Sequence, residues 1–137
     1  MKMFVVDASV ILGFLLENNP RVVEKVSTLL RDAKKQNVML LSTNLLPLEV
    51  GNGLRFTLKD QVLADDLFVK FQKLPIEIVP LTAQQIRKSI TFAYDCKTTV
   101  YDASYHVLAF ARNIEYLTLD KDYFEKAKHV GRIVYVG

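Results

Sequence analysis

Met3-Phe4-Val5-Val6-Asp7-Ala8-Ser9-Val10-Ile11-Leu12-Gly13-Phe14-Leu15-Leu16-Glu17 opens the chain with two apolar runs divided by one acid. The first run is short and continuous, as suits a strand buried on both faces, and Ser9 to Glu17 reads as a helix. A buried strand that runs straight into a helix is the first half of a parallel β-α-β unit, with the acid at the carboxyl end of the strand. The charge at Asp7, the shortness of both runs and the lack of a small-x-small cleavage site argue against a signal peptide or a membrane span.

The same alternation continues along the chain. From Pro20 to Gln36, the residues Val22, Val23, Val26, Leu29, Leu30 and Ala33 recur at helical spacing, with Pro20 at the start. Val38 to Leu41 is the second predicted strand. Leu45 to about Lys59 and Gln61 to Lys73 form a predicted helical hairpin. Ile76 to Val79, between Pro75 and Pro80, is the third strand, and Ala83 to Tyr94 is helical. Thr99 to Arg112 is a helix, Tyr116 to Leu119 the fourth strand, Tyr123 to Lys128 a short helix, and Arg132 to Val136 the last strand. Strands separated by helices predict an α/β fold with a mainly parallel sheet. No linker, repeat or low-complexity tract divides residues 1–137, so one domain is expected.

Composition narrows the function. Hydrophobic residues make up 50% of the chain and the mean hydropathy is +0.15, high enough to expect apolar surface covered by a partner. Cys96 is the only cysteine, which excludes an internal disulfide and a cysteine-based zinc site and suits a reducing, cytoplasmic setting. Lys and Arg outnumber Asp and Glu by 18 to 15. Withdrawing four acids into a pocket would leave 18 cations against 11 acids, a balance suited to attracting a phosphodiester backbone. On charge alone, an ordinary lysine-rich protein fits equally well.

Four acids stand out by position. Asp7 and Asp120 follow the first and fourth strands, where open α/β sheets place their ligands. Glu49 and Asp102 lie near the starts of helices opened by Asn44 and Thr99. Each alone has a structural explanation: Asp7 and Asp120 as helix caps, Thr99-Val100-Tyr101-Asp102 as a capping box, Glu49 as a complement to a helix dipole. Together, beside apolar flanks, they form a repulsive cluster that a hard cation would neutralise. Carboxylates favour Mg²⁺ or Mn²⁺. The two histidines are far apart; His106 reads as a half-buried helix residue and His129 as a surface one. No phosphate-binding glycine loop, nucleophile elbow or HExxH pattern is present.

These residues resemble the PIN-domain nucleases, and among them the short VapC-like toxins of toxin-antitoxin pairs. Val5-Val6-Asp7-Ala8-Ser9-Val10 resembles the family's opening strand and first acid, and Leu46-Pro47-Leu48-Glu49-Val50-Gly51-Asn52 its second acidic segment. Thr99-Val100-Tyr101-Asp102-Ala103-Ser104-Tyr105-His106-Val107-Leu108-Ala109 is very close to the third motif, and Leu117-Thr118-Leu119-Asp120-Lys121-Asp122 to the fourth. The resemblance implies a three-layer α/β/α PIN-like fold and a Mg²⁺- or Mn²⁺-dependent endoribonuclease, with Asp7, Glu49, Asp102 and Asp120 as catalytic, metal-holding acids. It implies Ser9, Asn52 and Thr118 as polar supports, with Asp122 as a possible extra acid or a helix cap. It also implies a homodimer and a small antitoxin.

Arg55, Lys97 and Lys121 lie near the acidic motifs and are candidates for gripping RNA phosphates, while Tyr101 or Tyr105 is a candidate for stacking on a base. Two rivals accompany the nuclease reading. One is a PIN-like scaffold that binds RNA or protein without cutting. The other is an aspartyl phosphotransferase with Asp7 as nucleophile, although that class favours an acid where Ser9 stands.

Overall fold

A computed structural model describes all 137 residues. Five strands build one sheet: β1 (Lys2–Val6), β2 (Val38–Thr43), β3 (Ile76–Val79), β4 (Glu115–Thr118) and β5 (Ile133–Tyr135). Their order across the sheet is β3-β2-β1-β4-β5 and every pairing is parallel. β1 is central, with Val5 set against Leu41 of β2 and Val6 against Leu117 of β4. Its position between two neighbours explains its unbroken apolar run, since Val5 and Val6 have no exposed surface.

Seven helices connect the strands: α1 (Ala8–Leu16), α2 (Pro20–Lys34), α3 (Leu46–Thr57), α4 (Gln61–Gln72), α5 (Ala83–Cys96), α6 (Val100–Arg112) and α7 (Lys121–Ala127). Helices α1 to α4 pack against one another on one face, with α3 and α4 forming the expected hairpin, and α5 and α6 pack together on the other. The fold is therefore a three-layer α/β/α sandwich. Gly53 on α3 allows a close approach to α1, since a Cβ there would force the Leu12 side chain to shift. That approach brings the start of α3 beside the end of β1.

Several boundaries differ from the sequence reading. Helix α5 continues to Cys96, and Lys97 ends it in the left-handed region at φ 57°. Thr99 caps α6 by accepting from the Asp102 N–H at 3.1 Å, but no reciprocal bond completes a capping box. The complete box lies at Thr82 and Gln85 instead. His106 is fully buried, not half-buried, because both of its ring nitrogens are engaged inside the protein.

Candidate metal centre

The chain moves outward from β1 to β2 and β3, then crosses back to β4 on the other side of β1. That reversal leaves a crevice at the carboxyl ends of β1 and β4, the topological switch point of an open α/β sheet. Asp7 follows β1 and caps α1; Asp120 follows β4 and caps α7. Glu49 and Asp102 sit in the first turns of α3 and α6. All four line one cavity of about 220 Å³, together with Ser9, Leu12, Asn52, Gly53 and Tyr105.

Asp7 is the most constrained of the four. Its Oδ1 accepts from the Ser9 hydroxyl at 2.5 Å and the Val10 N–H at 3.2 Å. Its Oδ2 accepts from the Tyr116 hydroxyl at 2.5 Å and the Thr118 hydroxyl at 2.6 Å. Four donors match a carboxylate's acceptor capacity. Two of them are themselves held by backbone: the Leu119 N–H donates to Ser9 Oγ at 2.8 Å and the Asp120 N–H to Thr118 Oγ1 at 3.0 Å. Burial nevertheless pushes the Asp7 carboxyl above its ordinary value, despite these bonds. With 5% exposure and both oxygens occupied, Asp7 has no oxygen free to attack a phosphoryl donor, which weighs against the phosphotransferase reading.

Glu49 accepts from the Tyr105 hydroxyl through Oε1. Burial raises its pKa, the Tyr105 bond opposes that, and the charge of Asp7 raises it further. Asp102 is pushed up to about 6, first by burial and then by Asp120, with smaller contributions from Glu49 and Asp7, while the Thr99 hydroxyl opposes the shift. Asp120 uses Oδ1 to accept from the Tyr123 N–H at 3.0 Å. The four acids thus share one pocket and one electrostatic field.

They do not form a ready-made ligand set: no three Asp, Glu, His or Cys side chains stand close enough together to hold one ion directly. The donor chemistry still fits a hydrated hard cation, which keeps several waters and takes only one or two carboxylates directly. A cavity of about 220 Å³ has room for such an ion with waters between it and the more distant acids.

Ser9, Asn52 and Thr118 all border this pocket or bond to its acids. Asp122 does not; it is exposed and pairs with Lys126 at 3.1 Å. Nor do the three proposed phosphate-gripping residues line the pocket. Arg55 borders a separate cavity between α3 and α4, Lys97 ends α5, and Lys121 begins α7 on the surface. Tyr101 is exposed and lines a groove of about 840 Å³ that shares Glu49 and Asn52 with the acid cavity. Tyr105 is buried and has no face free for stacking on a base.

Sequence reasoning missed Tyr105 as a partner of Glu49 and Tyr116 altogether. A local signal existed for each. Tyr105 lies three residues after Asp102, on the same helix face, and Tyr116 lies two residues before Thr118, on the same face of β4.

The PIN domain family model matches residues 4–130. No curated protein sequence matches the chain. Among solved structures, PAE2754 from Pyrobaculum aerophilum superposes with a TM-score of 0.71 at 20% identity, covering 98% of this chain and 90% of that one. A toxin-antitoxin complex from Klebsiella pneumoniae gives 0.66 at 13% identity, covering 100% and 98%. Mycobacterium tuberculosis VapC20, described as a Sarcin-Ricin loop cleaving toxin, gives 0.66 at 12% identity, covering 89% and 93%. At these identities the likeness is one of fold.

Proposed function

Because the chain belongs to the PIN-domain family, we propose that it is a Mg²⁺- or Mn²⁺-dependent endoribonuclease and the toxin of a toxin-antitoxin pair. The observation that carries this reading is the convergence of Asp7, Glu49, Asp102 and Asp120 on one cavity at the switch point of the sheet. A bound divalent cation would polarise a phosphoryl oxygen and make a bound water more acidic. Asp102, Asp120 and the free oxygen of Glu49 would hold it, directly or through its waters. Buried Asp7 would add its charge from the floor of the pocket.

Attack by water would break the P–O3′ bond, leaving a 5′-phosphate and a 3′-hydroxyl, so the ribose 2′-hydroxyl has no nucleophilic role. The groove beside Glu49 and Asn52 offers the RNA a path out of the pocket, with the exposed ring of Tyr101 available to an unpaired base. Arg55, Lys97 and Lys121, which lie outside the pocket, would meet phosphates farther along the strand.

The partner proposals rest on exposed apolar side chains. Leu48 and Phe56 on α3 are each 77% exposed and Val62 on α4 is 70% exposed, a surface suited to a small antitoxin or a second copy of the chain. The reading places the protein in the cytoplasm, where its RNA is.

The non-cutting scaffold has one observation in its favour, the lack of three acids arranged as direct ligands. One assay separates the two. Antitoxin-free protein is incubated with structured RNAs, with and without Mn²⁺, beside Asp7→Asn and Asp102→Asn variants. The nuclease reading expects Mn²⁺-dependent cleavage that both variants lose. Tight RNA binding without cleavage would establish the scaffold, and cleavage surviving both substitutions would place the activity elsewhere.

A further inference from the structure

Two tyrosines stand behind the acid pocket with almost no exposed surface: Tyr105 on α6 at 2% and Tyr116 on β4 at 1%. Their rings stack with centroids 6.1 Å apart and planes 20° from parallel. Each hydroxyl is committed to a different acid, Tyr105 to Glu49 and Tyr116 to Asp7. Both phenols are held protonated, chiefly by burial, so towards a carboxylate each can only donate.

We propose that Tyr105 and Tyr116 are positioning residues of the pocket, a stacked pair in which Tyr105 fixes one oxygen of Glu49 and so leaves the other for the cavity, while Tyr116 holds the buried Asp7 carboxylate in place beneath it. Ordinary core packing does not account for the arrangement. A buried tyrosine needs one acceptor, and a backbone carbonyl suffices, as the Gly131 carbonyl does for His106 Nε2 at 2.7 Å. Here the two acceptors are both pocket acids, reached across 56 and 109 residues of sequence. The pair joins α6 and β4 to α3 and β1, four elements that each contribute one side of the site. Glu49 is held through Oε1 alone, which leaves Oε2 for the cavity. Partners of this kind, behind metal-holding side chains, tune affinity by roughly 10- to 100-fold.

The proposal rests on the nuclease reading, and the test separates the two. Tyr105→Phe and Tyr116→Phe keep the rings and their stack and remove only the hydroxyls. Mn²⁺ binding to the full chain is measured by calorimetry, and RNA cleavage is followed with Mn²⁺ saturating. In both variants Mn²⁺ affinity is expected to fall at least about tenfold and kcat to fall, with KM for RNA within about twofold.

Tyr123→Phe supplies the comparison, since its hydroxyl bonds His106 and no carboxylate; it should lose thermal stability but bind Mn²⁺ as the unaltered chain does. Folded Tyr→Phe variants with unchanged Mn²⁺ affinity overturn the proposal, as does an equal loss in Tyr123→Phe. If Tyr116→Phe does not fold, Tyr105→Phe decides alone, because Glu49 is the more open of the two acids. An unaltered chain that binds no Mn²⁺ and cuts no RNA sinks the nuclease reading itself.

Discussion

Thr118 donates its hydroxyl to Asp7 Oδ2 at 2.6 Å, a contact that spans 111 residues of sequence and ties the end of β4 to the end of β1. The same oxygen of Thr118 accepts the Asp120 N–H at 3.0 Å, so one hydroxyl serves two of the four acids. Thr118→Val would leave the buried Asp7 short of a donor and the Asp120 amide unpaired. The expected loss is about 2 kcal/mol in urea unfolding, because bonds to charged groups are the stronger ones. Thr118→Ser, which keeps the hydroxyl, should retain most of that stability.

Asp102→Asn should stabilise the protein while abolishing RNA cleavage. The Asp102 carboxyl is pushed up to about 6 from an ordinary 3.8. A raised acid favours the folded state fully below its unfolded pKa, and that contribution is lost as pH rises through about 6. At pH 7 the charged form therefore opposes folding. Asp102 is partly exposed and solvent screens it, so the gain from Asn is held to about 1 kcal/mol at neutral pH. Thermal melts without divalent cation should show the gain shrinking as pH falls towards 4. An Asn variant less stable than the unaltered chain at pH 7 would contradict this.

Mn²⁺ affinity should weaken below about pH 6, where Asp102 takes up a proton that a cation must displace. Calorimetry near pH 6 in buffers of different ionisation enthalpy should detect proton release on binding. Affinity that is flat from pH 7 to 5 would remove Asp102 from the ligand set.

His106 is expected to take up its proton only below pH 6.5, because burial disfavours the charged imidazole. Its Nε2 faces the Gly131 carbonyl at 2.7 Å, which can only accept, so Nε2 carries the proton and Nδ1 accepts from the Tyr123 hydroxyl at 2.8 Å. Burial lowers its pKa. The unfolded imidazole takes a proton as pH drops through 6.5 and the folded one does not, so stability falls with pH in that window. Asp102 acts in the opposite sense over part of the same range, so melts are best made in the Asp102→Asn background. Ring resonances of His106 followed by NMR give the direct check, and an unshifted titration would disprove the assignment.

Local pattern made much of this legible. The unbroken apolar run of β1 and the turn signals around β3 and α5 located the strands, and acids at strand ends and helix starts marked one edge of the sheet. Contacts between remote residues were less legible. Tyr116 lies 109 residues from Asp7, and its place on the Thr118 face of β4 marks it as facing the pocket without naming Asp7 as its partner. The burial of His106 depends on α7 and the turn at Gly131 folding over α6. The spacing of the acids around the cavity is likewise set by helix packing, so residue identity alone overstated how tightly they converge.

The strand order carries a consequence for synthesis on the ribosome. Because β4 lies beside β1 but is made long after it, a nascent chain that stops at Ile114 already bears Asp7, Glu49 and Asp102 yet lacks Tyr116, Thr118 and Asp120. Such an unfinished product leaves β1 unpaired along one side and the crevice without one wall. Any chemistry housed there would be withheld until β4 has been made and has docked beside β1.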